Sequence, residues 1–272
     1  MNDAIAEQFV RARLDATALP DFPGSIPATL NIAYAYQDRA IALWPDFVAG
    51  WKVGRIGPPW LERLGEDRLV GPIFRRGIRL APPEQMVEFP VFEGGFAAVE
   101  AEFVFRLGAD APPDKVQWTA EEASRIAMAL HIGVETAGSP LATINELGSA
   151  VVVSDFGNNA GLLLGPAIPD WRSRSFDALK TETFIEGKSV GRGGAMSLPG
   201  GPFAGLAFAL SRCARRGLPM KSGYVVSTGA TTGVHDILIG QESRVVFEGC
   251  GELLCRAVPA LKSPAAQKGA RA

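Results

Sequence analysis

Two glutamates interrupt an apolar stretch, and this pattern constrains both the fold and the chemistry of the chain. The stretch is Val99-Glu100-Ala101-Glu102-Phe103-Val104-Phe105. Its period of two predicts a β-strand with both carboxylates on one face. The apolar neighbours predict that this strand lies inside the protein and not at its rim. Buried neighbouring carboxylates repel each other and lose hydration, so the sequence predicts a neutralising group beside them.

A third acidic residue is the best candidate to complete a metal site with this pair. Glu135 ends the next predicted buried strand, Ile132-Gly133-Val134-Glu135, and a path of strand, loop, helix and strand would return it beside the pair. A single glutamate is usually solvated or ion-paired. A pair within an apolar strand, joined by a third acid, instead favours a metal held by Glu100, Glu102 and Glu135. Oxygen-only ligands favour Mg²⁺ or Mn²⁺ over Zn²⁺.

Lys52 and Asp155 are further candidates for chemistry, and each has a plainer alternative. Lys52 has apolar neighbours in Trp51-Lys52-Val53-Gly54. It either extends to the surface or is held as an acid/base group with a shifted pKa. Asp155 begins Asp155-Phe156-Gly157-Asn158-Asn159, which is typical of a structural turn with Asx hydrogen bonds.

Length, charge and composition exclude several classes of protein. The 272 residues, 47% of them apolar, suffice for one large domain or for a domain with a smaller cap. The 31 glycines and 20 prolines indicate many turns and a β-rich body. A net charge of −2 without a long basic run argues against a nucleic-acid partner. Neither a signal segment nor a membrane-length apolar run is visible, so we expect a soluble cytoplasmic protein.

Other familiar motifs are missing from the sequence. The three cysteines are odd in number and form no close Cys-x-x-Cys pair, which argues against a disulfide framework or a zinc knuckle. Buried thiols in a reducing cytosol are the simpler reading. The glycine-rich segment 191–201 lacks the Gly-Lys-Ser/Thr ending of a P-loop. His131 and His235 are too few for a histidine-rich metal site, and we expect both to be structural or peripheral.

The pattern along the chain predicts three parts. Residues 1–80 are predicted to form a helical N-terminal cap region, with helices over 2–18 and 28–43. Residues 81–258 are predicted to form a β-rich metal-binding catalytic core. Residues 259–272 are predicted to be a flexible tail.

Within the core, turn signals and periodicity predict individual elements. Thr119-Ala120-Glu121-Glu122 is a capping-box pattern, so we expect a helix from there to about residue 130. A hairpin is expected over 182–190 and a helix over 202–215. The expected strands cover residues 86–92, 97–107, 131–136, 151–155, 161–164, 224–228, 244–248 and 251–258.

The chain resembles the fumarylacetoacetate hydrolase superfamily from about residue 30 to residue 258. Within it, the sequence looks most similar to the 2-hydroxypenta-2,4-dienoate hydratases and 4-oxalocrotonate decarboxylases of aromatic meta-cleavage pathways. The segments that carry the resemblance are Ala33-Tyr34-Ala35-Tyr36-Gln37, Gly50-Trp51-Lys52-Val53-Gly54, Val99-Glu100-Ala101-Glu102, Val153-Ser154-Asp155 with Gly165 after it, Thr228-Gly229-Ala230 and Phe247-Glu248-Gly249-Cys250-Gly251. The Glu-x-Glu strand followed by a third glutamate is the most specific of these signals.

The resemblance implies a fold, a site and an assembly. The implied fold is α+β, a mixed β-sandwich roll with a helical N-terminal cap. The implied site holds Mg²⁺ or Mn²⁺ on the three glutamates and uses Lys52 as the acid/base residue, with Asp155 orienting water or Lys52. Matching segments imply substrate binding at Gly71, Ile73, Thr228 and Gly229. Family members are usually homo-oligomers, and a complex with a sister family member is a further expectation.

Three departures from the family pattern affect the expected reaction. The family often has Glu-x-x-Asp-Ser-Arg after the third ligand, whereas Glu135 is followed by Thr-Ala-Gly-Ser-Pro. Hydratases usually carry an acid two residues before the glycine that matches Gly71, whereas this chain has Leu69, which is more like the decarboxylases. The pair Thr231-Thr232 replaces the usual hydratase Leu-Gly-Pro.

The resemblance implies a metal-dependent lyase that adds water to a 2-hydroxy-2,4-dienoate, or its 2-oxo-enoate tautomer, to give a 4-hydroxy-2-oxoacid in aromatic catabolism. Decarboxylation of a 2-oxo-3-enedioate is the first alternative, because the same enolate chemistry serves it. Hydrolytic C–C cleavage of an acylpyruvate is the second; in the superfamily it uses a histidine–acid pair near the cap, and residues 55–80 contain no histidine. A family member that binds a ligand without turnover is the third.

Overall fold

Two mixed β-sheets and six α-helices make up residues 3–264, the part of the chain that the computed structural model describes. The helices are α1 (Asp3–Asp15), α2 (Leu30–Leu43), α3 (Trp60–Leu64), α4 (Ala120–Ile126), α5 (Ser149–Ser154) and α6 (Gly201–Arg215). The strands are β1 (Val48–Arg55), β2 (Arg68–Phe74), β3 (Ile78–Leu80), β4 (Met86–Val91), β5 (Phe96–Leu107), β6 (Ala127–Ser139), β7 (Asn159–Ala167), β8 (Lys180–Ile185), β9 (Lys188–Gly194), β10 (Val225–Ser227), β11 (His235–Asp236), β12 (Glu242–Phe247) and β13 (Gly251–Pro259).

The larger sheet has the strand order β2-β1-β10-β5-β6-β7-β3, and β11 also pairs with β5. Most neighbours are antiparallel, whereas β1 with β10 and β3 with β7 are parallel. The second sheet has the order β4-β13-β12-β8-β9, with β4 and β13 parallel. The expected fold class, an α+β mixed β-sandwich roll with N-terminal helices, is therefore confirmed.

The strand that carries the two glutamates lies in the middle of the larger sheet. β5 pairs with β6 along its whole length and with β10 and β11 on its other edge. Every residue from Val99 to Phe105 is buried, as the apolar pattern predicts. Phe103 on β5 meets Phe247 on β12 with ring centroids 5.5 Å apart, so the two sheets pack face to face through this strand.

The N-terminal helices attach to the larger sheet through buried polar contacts. The hydroxyl of Tyr34 on α2 accepts a hydrogen bond from the Val70 backbone N–H at 3.0 Å. The side-chain amide of Gln37 donates to the carbonyls of Val70 at 3.1 Å and Val153 at 2.8 Å. These bonds fix β2 and α5 against one helix, which brings two distant segments of the chain together beside the sheet.

The three predicted parts remain a prediction about the organisation of the chain. Strands β1, β2 and β3 precede residue 81, and they belong to the same sheet as β5. At the far end, the Ser263 backbone N–H donates to the Leu14 carbonyl at 2.7 Å, and Lys262 lies 2.7 Å from Asp15. Residues 265–272 of the predicted tail lie outside the described residues.

Several local predictions are confirmed and two need correction. The hydroxyl of Thr119 accepts from the Glu122 N–H, and the Glu122 carboxylate accepts from the Thr119 N–H, which completes the predicted capping box. Helix α4 nevertheless ends at Ile126, so the expected extension to residue 130 is wrong, and β6 begins at once. The strand expected at 151–155 is instead helix α5.

Burial on every side explains the error at α5. Its three consecutive valines favour a strand by intrinsic propensity. Ala150, Val151, Val152 and Val153 are all buried, so the helix shows no polar face and no period of 3.6 in its sequence. Packing against α2 and the bond from Gln37 then outweigh the propensity of the valines.

No helix among the described residues is long and apolar enough to cross a membrane. The cysteines are unpaired, and Cys213 and Cys255 are buried. Burial raises the pKa of each of these two thiols to about 12, so both are protonated at neutral pH.

Gly71 on β2 provides a test of this packing. A Cβ atom at this position would lie 2.1 Å from the backbone oxygen of Phe156, so we expect Gly71→Ala to destabilise the fold by about 2–3 kcal/mol through overpacking. Gly57→Ala is the matched control, because a Cβ there has no neighbour within 4 Å. Urea unfolding of both variants measures the difference; equal free energies of unfolding would contradict the packing described here.

Candidate metal centre

Three buried carboxylates converge where β5 lies against β6. Glu100 and Glu102 are two residues apart on β5, and Glu135 on β6 is the direct cross-strand partner of Glu100. This register places all three side chains on one face of the sheet. One carboxylate oxygen from each lies within 4.8 Å of the others, and all three residues are buried. The structure thus brings together the three residues that the sequence predicted as metal ligands.

Glu102 and Glu135 each have one carboxylate oxygen that accepts hydrogen bonds and one that has no hydrogen-bond partner. Glu102 Oε2 accepts from the Ser227 hydroxyl and, at 2.8 Å, from the Gly229 backbone N–H. Glu135 Oε1 accepts from the Asn159 side-chain amide at 3.0 Å. Glu102 Oε1 and Glu135 Oε2 are buried and accept no hydrogen bond. Buried oxygens without partners are costly unless something binds them, and bonds to the opposite oxygen are how proteins orient metal ligands.

Lys52 is the only cation in contact with the carboxylate cluster among the described residues. Its Nζ lies 3.3 Å from Glu135 Oε1, and both side chains are almost completely buried. It also donates to Asn158 Oδ1 at 3.2 Å, and the Asn158 amide in turn donates to Asn145 at 3.3 Å. The ammonium is therefore held in place and not extended to the surface.

Burial and mutual repulsion govern the ionisation of this cluster. Burial, with the charge of Glu135 added to it, raises the pKa of Glu100 to about 7. The same causes raise the pKa of Glu102 well above its usual value. Burial acts to lower the pKa of Lys52, but the three carboxylates outweigh burial and raise it. Lys52 is thus protonated at neutral pH.

A divalent cation fits this set of residues. Three carboxylates and one ammonium carry a net charge of two negatives when all are ionised, and one divalent ion neutralises it. The donors are oxygens only, which suits Mg²⁺, Mn²⁺ or Ca²⁺ and does not suit a soft metal. Glu100, Glu102 and Glu135 would hold the ion, with the two oxygens that lack partners among the ligands.

A cavity of about 520 Å³ opens beside the carboxylates. Its size lies within the range of small-molecule sites. Lys52 and Glu100 line its inner part, with Asn145 and Asn158 beside them. The walls of the cavity include Leu69, Val152, Leu198, Thr228 and Gly229, and its lining also includes Arg55 and Arg68.

The predicted substrate-binding residues divide into two groups. Thr228 and Gly229 line the cavity, and the Gly229 N–H also binds Glu102. Gly71 and Ile73 do not line it. Gly71 lies against the backbone of Phe156, and Ile73 packs in a buried apolar cluster that includes Val104. Substrate binding at Gly71 and Ile73 remains a prediction that these contacts do not support.

Asp155 lies apart from Lys52 and does not line the cavity. Its carboxylate forms a two-point ion pair with Arg13 on α1, at 2.5 Å and 2.9 Å. The Ser139 hydroxyl donates to the same carboxylate at 2.6 Å. Arg13 also donates to the carbonyls of Asn159 and Gly138. The catalytic role predicted for Asp155 remains untested, and its contacts favour support of the turn that carries Asn158 and Asn159.

Sequence reasoning missed several residues that shape the site. Asn158 and Asn159 occur in the turn sequence after Asp155, so a signal was present, but it did not indicate that one binds Lys52 and the other Glu135. Ser227 directly precedes Thr228-Gly229, but nothing in the sequence indicated that its hydroxyl binds Glu102. Arg13 gave no signal, because an arginine on an amphipathic helix is normally solvated.

The architecture is that of a known class: the chain has the fold of the fumarylacetoacetate hydrolase superfamily. A 4-oxalocrotonate decarboxylase from Pseudomonas putida G7, solved with calcium and acetate and with magnesium and adipate, matches with a TM-score of 0.76 at 19% identity over 94% of this chain and 96% of that chain.

Other structures with this fold are more distant. A fumarylpyruvate hydrolase from Pseudomonas aeruginosa, in complex with Mn²⁺ and pyruvate, matches with a TM-score of 0.56 at 16% identity, over 77% of this chain and 89% of that chain. A 2-hydroxyhepta-2,4-diene-1,7-dioate isomerase from Mycobacterium marinum gives 0.55 at 16% identity, over 79% of this chain and 77% of that chain. No family model and no curated protein matches the sequence.

Metal binding should be linked to protons near neutral pH. Because the pKa of Glu100 is raised to about 7, its protonation stabilises the metal-free fold, and this contribution is lost as the pH rises through that value. A cation must displace the same protons, so its affinity rises with pH. We expect the increase in Tm caused by saturating Mg²⁺ or Mn²⁺ to be larger at about pH 8 than at about pH 6. A shift that is independent of pH would contradict the raised pKa.

The buried pair of Asp155 with Arg13 should contribute mainly to stability. Asp155→Ala leaves the Arg13 guanidinium buried without its partner, and we expect a loss of roughly 3–5 kcal/mol in the free energy of unfolding. Urea unfolding measures the loss, with Asp114→Ala as an exposed control. If Asp155→Ala unfolds like the parent protein but loses turnover, the predicted catalytic role is favoured over the structural one.

Proposed function

We propose that the protein is a metal-dependent enzyme that acts on 2-oxo or 2-hydroxydienoic acids, and that its reaction is the decarboxylation of a 2-oxo-3-enedioate. The observation that carries the metal dependence is the centre at Glu100, Glu102 and Glu135. Two buried oxygens there lack partners, and an ammonium lies 3.3 Å from the third ligand. An acidic cluster with a purely structural role would be expected to have these oxygens satisfied.

The wall of the cavity supports decarboxylation over the hydration that the sequence resemblance placed first. Leu69, Val152 and Leu198 line the cavity, and Leu69 is buried on β2 directly opposite Gly54. Hydratases with this resemblance usually carry an acid at this position, and that acid is replaced here by Leu69. An apolar wall instead excludes water and favours loss of a carboxylate charge. The similarity to a 4-oxalocrotonate decarboxylase, itself bound to the diacid adipate in one structure, supports the same choice.

A divalent ion at the three glutamates would supply the positive charge that stabilises the enolate form of a 2-oxo acid. The protein's own residues supply the proton and hold its donor in position. As the carbon–carbon bond to the distal carboxylate breaks, carbon dioxide leaves and the electron pair enters the conjugated system. The ammonium of Lys52, which lies beside the carboxylates, then donates a proton to the 2-oxygen of the resulting dienolate, and this gives the 2-hydroxydienoate. Asn158 holds the ammonium in position through its side-chain oxygen.

The remaining parts of the proposal rest on the resemblance. Mg²⁺ or Mn²⁺ is proposed as the resident metal. A homo-oligomer, a complex with a sister family member and a cytoplasmic location remain predictions. Acylpyruvate hydrolysis and ligand binding without turnover are the competing outcomes, and the reaction products distinguish them from decarboxylation.

A product assay tests the proposal directly. The metal-loaded protein should release carbon dioxide from a 2-oxo-3-enedioate and form a 2-hydroxydienoate that absorbs in the ultraviolet. Glu102→Gln removes one ligand charge without changing the size of the side chain, and we expect the metal-dependent kcat/KM to fall at least about 100-fold. Glu248→Gln, at an exposed glutamate outside the cavity, is the control.

The reaction products distinguish decarboxylation from hydration. Loss of dienoate absorbance without carbon dioxide would favour hydration instead. A fully active Glu102→Gln protein would exclude the metal centre from the reaction.

A further inference from the structure

A second cavity shares a turn with the cavity at the metal centre. Its volume is about 240 Å³, and about 150 Å³ is enough to hold benzene in a protein interior. The shared turn follows α5: Asn158 lines the cavity at the metal centre, whereas Phe156 and Asn159 line the second one. The proposed reaction does not involve this second cavity.

Four aromatic side chains line the second cavity, which we therefore call the aromatic cavity: Trp44, Phe74, Phe92 and Phe156. The rings of Trp44, Phe74 and Phe156 contact one another, with centroids between 4.9 Å and 5.6 Å apart. The Arg13 guanidinium lies 5.1 Å from the ring centroid of Phe156 and 5.6 Å from that of Phe92. Walls of this kind suit a flat ring, because aromatic rings gain from edge-to-face and offset contacts with one another.

The charged side chains around the aromatic cavity leave one positive charge without a counter-ion. In the part of the chain that the structure describes, the lining contains one acid, Asp46, and three arginines, Arg13, Arg76 and Arg79. Arg13 is neutralised by Asp155, and Arg76 lies 3.8 Å from Asp46. The side chain of Arg79 has no ion-pair or hydrogen-bond partner within residues 3–264. Burial lowers the pKa of Arg79, because no acid beside it offsets the loss of hydration.

The pleat of β3 turns Arg79 towards the aromatic cavity. Its neighbour Ile78 packs against the buried apolar cluster that includes Leu162 and Leu164. Successive side chains of a strand point to opposite faces, so Arg79 lies on the other face, and it lines the aromatic cavity there.

We infer that the aromatic cavity is a second ligand site and that it binds an aromatic monocarboxylate. The ring of the ligand would pack against Phe92 and Phe156. Its carboxylate would accept charge-assisted hydrogen bonds from Arg79. One negative charge on the ligand matches the one positive charge that lacks a counter-ion. The inference goes beyond the proposed function and does not require the proposed reaction.

The shared turn would couple this site to the metal centre. Asn158 accepts a hydrogen bond from Lys52 at 3.2 Å, and the Asn159 amide donates to Glu135 at 3.0 Å. Phe156 and Asn158 have φ values of 56° and 54°, which residues other than glycine adopt at a cost, so the turn needs support from its neighbours. A ligand packed against Phe156 would support the same turn that positions Glu135. Ligand and metal should therefore each strengthen the binding of the other.

Binding of benzoate tests the site without requiring turnover. The probe is benzoate titrated calorimetrically into the Mg²⁺-loaded protein. Benzamide has the ring without the charge, and acetate has the charge without the ring, so both should bind more weakly than benzoate. We expect Arg79→Gln to weaken benzoate binding about tenfold, the loss of one charge-assisted hydrogen bond. Arg79→Lys keeps the charge and should bind benzoate more tightly than Arg79→Gln.

Two matched variants locate the bound benzoate. Arg75→Gln changes an exposed arginine that lines neither cavity, and Arg55→Gln changes an arginine that lines the cavity at the metal centre. Both should bind benzoate like the parent protein. Unchanged affinity in Arg79→Gln, an equal loss in Arg75→Gln, or a loss confined to Arg55→Gln would overturn the site. Equal affinity of the parent protein for acetate and benzoate would also overturn it.

The same titration without metal tests the coupling. We expect benzoate to bind the Mg²⁺-loaded protein about fivefold more tightly than the metal-free protein, the lower end of the usual range for coupled sites. Equal affinities would overturn the coupling and leave the site. A dependence on Mg²⁺ that persists unchanged in Arg79→Gln would place the coupled benzoate at the metal centre and overturn the coupling through the turn.

Discussion

The pairing of β5 with β6 is the constraint on which the rest of the site depends. It sets Glu135 directly opposite Glu100 in the interior of a sheet, where each ionised carboxylate raises the pKa of its neighbours. A slip of one residue in this register would turn the glutamates of β5 towards the second sheet. The fold therefore holds mutually repelling carboxylates together, and the neighbouring groups reduce this repulsion and the cost of burial. Lys52 relieves part of the negative charge, and the donors from Ser227, Gly229 and Asn159 relieve part of the desolvation, which leaves the shared centre for a cation.

The sequence predicted that the three carboxylates converge, and for Glu100 and Glu102 the signal is local. A period of two places Glu100 and Glu102 on one face whatever the rest of the chain does, and the apolar residues around them require burial. The supporting residues were not predicted, because their roles depend on long-range contacts. Asn158 and Arg13 look like an ordinary turn residue and an ordinary helix arginine. Only the folded chain shows that the first binds Lys52 and that the second binds Asp155.

The turn after α5 gives Asp155 and Asn158 different surroundings, because Asp155 pairs with Arg13 and Asn158 lines the cavity. Phe156, Gly157 and Asn158 all have positive φ values, between 54° and 63°. Two of them are not glycines, so the turn is strained and needs external support. Asp155 provides that support by anchoring the turn to Arg13 on one side, and Asn158 faces the cavity on the other. In this short motif, Asp155 thus supports the backbone and Asn158 lines the cavity, a difference that the sequence alone does not reveal.

The polar and the apolar parts of the cavity lining place opposite demands on a carboxylate. Beside Lys52 and a divalent ion at the three glutamates, a carboxylate would gain from keeping its charge. Beside Leu69, Val152 and Leu198, a carboxylate loses hydration and gains from losing its charge, which favours the proposed decarboxylation. The two demands are compatible in a diacid, because each of its carboxylates can lie against a different part of the lining. The proposed reaction therefore depends on which carboxylate lies beside the apolar side chains, and a polar side chain in place of Leu69 would weaken the advantage of losing its charge.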